Sequence, residues 1–102
     1  MKIIEKLSKM IEEELHDAEK YARCANRWKT ENQDLANLFF QLSQEEMGHM
    51  QSLHNMVVQI IQEYRRTNGE PPERMLAVYD YLHEKQMKHA TKVKAMQAMF
   101  RE

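Results

Sequence analysis

Three of the four glycine and proline residues in this chain fall together in Asn68-Gly69-Glu70-Pro71-Pro72. Folds built from strands and turns need such residues at frequent intervals, whereas long helices exclude them. The fourth, Gly48, lies inside a periodic segment, and a weaker break falls at Thr30-Glu31-Asn32-Gln33-Asp34, where Asn32 or Asp34 can serve as a helix N-cap. Three segments result, 2–29, 33–66 and 72–100, each rich in Leu, Met, Ala, Glu, Lys and Gln and without strand alternation.

Steps of three and four write one apolar line along each segment. The first runs through Ile4, Leu7, Ile11, Glu14, Ala18, Tyr21, Ala25 and Trp28. In the second the line is Leu35, Leu38, Leu42, Glu46, His49, Leu53, Met56, Ile60 and Tyr64, and in the third Met75, Tyr79, Leu82, Gln86, His89, Val93, Met96 and Phe100. Helices of this length are each roughly 40 Å long, and short connections make sequential helices antiparallel neighbours. The fold expected is all-α: one domain, an antiparallel up-down-up bundle of three long helices. The second helix carries a further apolar stripe, Ala36, Phe40, Met47, Met50, Val57 and Ile61. It reads either as the broad inward side of a central helix or as a surface for self-association into a homodimer or higher homo-oligomer.

Composition narrows the function. Fifteen basic against sixteen acidic residues, intermixed, leave no basic stripe for nucleic acid. One cysteine excludes a disulfide within the chain and any four-thiolate site. Apolar runs such as Met56-Val57-Val58 are too short for a membrane span, no signal-peptide core is evident, and the compartment expected is the cytoplasm. Hydrolase triads, P-loops and dinucleotide fingerprints are missing.

Polar groups interrupt the apolar lines near their middles: Glu14 on the first helix, Glu46 and His49 on the second, Gln86 and His89 on the third. An unpaired buried charge is costly, so such a layer needs a reason. Counting from the two turns puts Glu14, Glu46, His49 and His89 at about one height, with Gln86 a turn lower. Glu46-x-x-His49 presents carboxylate and imidazole on one helix face, and with Glu14 from the adjacent helix it forms an oxygen and nitrogen donor set suited to iron, manganese or zinc. The structural alternative is a Glu–His hydrogen-bonded layer that fixes register. A second group, Asp80, His83 and Glu84 with His54 near the same height, reads equally as a solvated helix face. Asp17 and His16 read as surface groups, Tyr21 as a packing residue, and Cys24, which has no activating neighbour, as a small flank residue.

From about Glu12 to His54 the chain resembles the first helical hairpin of ferritin-like proteins, most closely rubrerythrin. The resemblance rests on Glu14 followed seven residues later by Tyr21, on the apolar run Leu35-Ala36-Asn37-Leu38-Phe39-Phe40, and on Glu45-Glu46-Met47-Gly48-His49. It implies a non-haem di-iron site and oxidation of iron with oxygen or peroxide as oxidant. In place of a second Glu-x-x-His hairpin there is one helix, offering Gln86-x-x-His89 and Asp80-x-x-His83, and Cys24 alone cannot build a rubredoxin-type site. A complete site would then be shared across a two-fold dimer, as in small encapsulated ferritins, or be completed by the third helix with His89. The alternative is a non-enzymatic helical interaction or assembly module with a degenerate metal site.

Overall fold

The computed structural model describes residues 1–102 and contains three helices: α1 (Lys2–Trp28), α2 (Gln33–Asn68) and α3 (Glu73–Phe100). They form an antiparallel up-down-up bundle measuring 55 × 19 × 18 Å. Each boundary has a local cause. Asn32 caps α2, its side-chain oxygen accepting from the Leu35 amide at 3.1 Å. Gly69 ends α2 at φ 79°, a left-handed position that favours glycine, and its N–H returns to the Arg65 carbonyl at 3.1 Å. Pro72 then starts α3 with its carbonyl accepting from Met75 and Leu76.

The central element is α1. It packs along α2 and along α3, while α2 and α3 touch only lightly. Ile4, Leu7, Ile11 and Leu15 of α1 meet Met50, Val57 and Ile61 of α2 and Ala90 of α3 in the larger core cluster. Beyond them, Ala25, Ala36 and Phe100 form a smaller cluster against Trp28, Phe39 and Phe40.

Two expectations about the inward faces are corrected. On α2 the buried line is Ala36, Ser43, Met50, Val57 and Ile61, most of the stripe read as surplus, whereas Leu38 and Met56 of the expected line are 49% and 46% exposed. Small residues win because α1 approaches closely: Ser43 is fully buried and donates its hydroxyl to the Ala18 carbonyl at 2.7 Å. On α1 Leu15 and Ala22 are buried in place of Glu14 and Tyr21, which lie on the flank, while Ala18 and Ala25 of the expected line stay inward. No helix is long and apolar enough to cross a membrane.

Candidate metal centre

The packing that displaces Glu14 from the core line places it beside α2. Glu46 and His49 follow one another at i,i+3 and project from one face of α2. The Ser43 to Ala18 hydrogen bond fixes the register of the two helices, because Ser43 precedes Glu46 by three residues and Ala18 follows Glu14 by four. Gln97 of α3 donates to the same Ser43 hydroxyl at 2.9 Å, so one buried oxygen ties all three helices next to the cluster.

Glu14, Glu46 and His49 each offer one ligand atom, and these atoms lie within 4.8 Å of one another. His49 Nδ1 stands 3.5 Å from Glu14 Oε2 and 3.6 Å from Glu46 Oε2. These are ion-pair separations rather than well-formed hydrogen bonds. Glu14 Oε2 is buried with no hydrogen-bond partner. The cluster is therefore placed at the α1–α2 edge and not at the bundle axis: the Glu14 and Glu46 side chains are 25% and 20% exposed, His49 63%. Two carboxylates and an imidazole on an open face can hold a divalent cation and leave coordination positions for a further ligand.

His89, expected in the same layer, lies on the other side of α1. Its Nε2 donates to Glu19 Oε1 at 2.8 Å, and its ring meets His16 edge-on at 5.1 Å. It faces α1 and not the Glu14 group because α3 packs mainly on α1. Gln86 is spent in the same way: its amide donates to the Ser8 hydroxyl at 2.8 Å and carbonyl at 3.3 Å. Helix three thus supplies no ligand to the Glu14 group within one chain.

The remaining candidates separate cleanly. Tyr21 stacks on Phe39 with ring centres 6.3 Å apart. Asp17 pairs with Lys20 at 3.8 Å, His16 is exposed, and Cys24 is half-buried and free. His54 and His83 face one another across the light α2–α3 contact, ring centres 4.9 Å apart, and Tyr79 lies 5.8 Å from His83 on a nearly parallel plane. Burial, and then the neighbouring His83, hold the His54 pKa below its ordinary value. Burial and the Asp80 charge raise that of the Tyr79 phenol. Sequence reasoning missed Ser8, Glu19 and Ser43, whose hydrogen-bonding positions are set by tertiary packing.

Comparison of the chain with protein-family models, with curated proteins and with solved structures gives no match.

Proposed function

We propose that the chain is a ferritin-like non-haem iron protein that binds iron through Glu14, Glu46 and His49 and supports ferrous oxidation. The observation that carries this reading is the unpartnered buried oxygen of Glu14, aimed at a second carboxylate and an imidazole from the next helix. A bound cation gives that oxygen a partner, and the two carboxylates offset its charge. His49 ligates only when Nδ1 is unprotonated, so binding weakens as acid is added. Held by Glu14, Glu46 and His49, ferrous iron would supply the electrons, one per ion, for reduction of oxygen or peroxide. Manganese and zinc share the donor set.

Three protein ligands on an open face are half of a two-metal carboxylate site. A second copy related by a two-fold axis supplies the other half. In support, exposed Met10 on α1 and exposed Leu38 and Met56 on α2 lie along the helices on either side of the ligand layer. Gly48, beside His49, is an exposed helix-interior glycine with nothing within 4 Å of an added Cβ. Packing within the chain does not require its missing side chain, and a helix of the second copy crossing there would use it. The same apolar face favours one rival, a non-enzymatic assembly module in which the Glu–His layer only orders α1 against α2.

Anaerobic ferrous titration of the purified chain, read by metal analysis and by sedimentation, separates the two. Stoichiometric iron bound by the parent and lost in Glu46→Gln and His49→Gln supports the metal reading. Equal binding by parent and variants removes these ligands from consideration.

A further inference from the structure

We infer that His54 and His83, with Asp80 one helical turn before His83 on α3, form a second metal site, separate from the Glu14 group, that takes a borderline divalent ion of the zinc type and ties α3 to α2. Two imidazoles and one carboxylate are a nitrogen-rich donor set, which suits zinc, nickel or copper(II) better than calcium or magnesium.

His83 Nδ1 is buried and has no hydrogen-bond partner. Buried imidazole nitrogens are ordinarily satisfied, and an orphaned one is destabilising unless something else meets it. Asp80 precedes His83 by three residues, the same i,i+3 relation that pairs Glu46 with His49, and so shares its helix face. Neighbouring ion pairs join Arg65 to Glu70 and Lys88 to Glu84 and leave Asp80 free. Asp80 and Tyr79 also line a neighbouring cavity of about 290 Å³ between α2 and α3, shared with Gln62 and Arg65 and not lined by either histidine.

The spacing of the rings fits. Two imidazoles bound side by side to one zinc ion, with Zn–N of about 2.0–2.1 Å, place their ring centres about 5 Å apart. His54 and His83 stand at 4.9 Å before any ion is added. Their planes are 18° from parallel, so both rings must turn about their terminal torsions to aim a nitrogen at a common point. Such torsions are broad and soft.

The surroundings agree. Between His49 and Glu63, α2 carries no charged side chain to compete for the ion. On α3 the charged neighbours of His83 are Asp80, Glu84 and Lys85, and Glu84 is held by Lys88 at 3.4 Å. From α1, apolar Leu7, Ile11 and Leu15 enter the shared core. Because α2 and α3 otherwise touch only lightly, an ion here adds a cross-link where the bundle has least.

Zinc binding to the full chain, measured by competition with a chromophoric chelator, tests the site. In the variant E46Q/H49Q, which removes the Glu14 group as a metal centre, one zinc per chain is retained and raises the thermal midpoint. Adding H54Q or H83Q to that background weakens zinc at least tenfold and abolishes the thermal shift, and D80N weakens it by a smaller factor. In the unaltered chain, zinc slows carbethoxylation of both His54 and His83 by diethylpyrocarbonate. Zinc held equally by E46Q/H49Q and by E46Q/H49Q/H83Q, or no zinc-dependent protection of the two histidines, overturns the assignment. Loss of iron binding in E46Q/H49Q bears on the proposed function alone, so the two readings fail separately.

Discussion

His89 on α3 and Glu19 on α1 meet with Nε2 and Oε1 2.8 Å apart, and Arg23 and Lys92 reach the same carboxylate at 2.6 and 3.4 Å. One anion thus gathers three cationic or donating side chains at the α1–α3 contact, and this is what removes His89 from the metal layer.

Burial by itself would raise the Glu19 pKa, but the hydrogen bond from His89 and the charge of Lys92 outweigh it and hold the value below the ordinary 4.5. A carboxylate depressed on folding contributes stability that is fully present above its unfolded pKa and is lost as pH falls through the folded one. Glu19→Gln is expected to cost about 1–2 kcal/mol in urea unfolding at pH 7 and much less at pH 3. Equal losses at both pH values would show that the ionised carboxylate is not what matters.

His54 gives the opposite chemical group with the same direction. Its folded pKa lies below the ordinary 6.5, through burial and then His83. The unfolded chain therefore takes up a proton that the folded chain resists, and stability falls as pH drops from 6.5 through the folded value. With chelator present, the thermal midpoint of the parent should fall between pH 7.5 and pH 5.5 by more than that of His54→Gln.

Ser43→Ala removes the oxygen shared by Ala18 and Gln97. The Gln97 amide loses its partner at a half-buried position, and the expected destabilisation is about 1–3 kcal/mol. Chemical denaturation reads the cost. Because this hydroxyl sets the register between Glu14 and Glu46, iron affinity should drop in the same variant even though no ligand is changed.

Gly48 and Met56 test the second copy. Gly48→Ala should stabilise the folded chain by about 0.5–1 kcal/mol, since an exposed helix interior favours Ala and an added Cβ meets nothing. If copies cross at Gly48, the same change weakens self-association, so stability and sedimentation move in opposite directions. Met56→Lys should leave the unfolding free energy within about 0.5 kcal/mol while favouring the monomer. A dimer unaffected by both variants would place the interface elsewhere.

Helix ends were legible in the sequence because their causes are local. Asn32 caps, Gly69 takes a left-handed φ, and Pro72 starts a helix; each acts within a few residues. Grouping of Glu14 with Glu46 and His49 was also legible, since helix periodicity and a short turn fix which residues of a hairpin come level. Facing was not. On α2 two stripes compete, and the larger residues Leu38 and Met56 lie outside while Ala36 and Ser43 lie inside. Side-chain size follows how closely helices approach, which a single helix's periodicity does not contain. The direction of His89 failed for the same reason: it depends on which neighbour α3 leans against.

That lean has a consequence for the order in which the chain acquires its shape. The hairpin of α1 and α2 closes over a connection of four residues, Lys29 to Asn32, at small entropic cost and makes most of the inter-helix packing. The last helix then settles mainly on α1 and meets α2 at a few points, Phe100 on Phe40 and His83 on His54 among them. Native-state amide exchange is accordingly expected to proceed through a partial opening in which α3 swings free while the hairpin stays intact, at a lower free energy than global unfolding. Such a detachable third helix would leave the Glu14 group standing on its own two-helix platform.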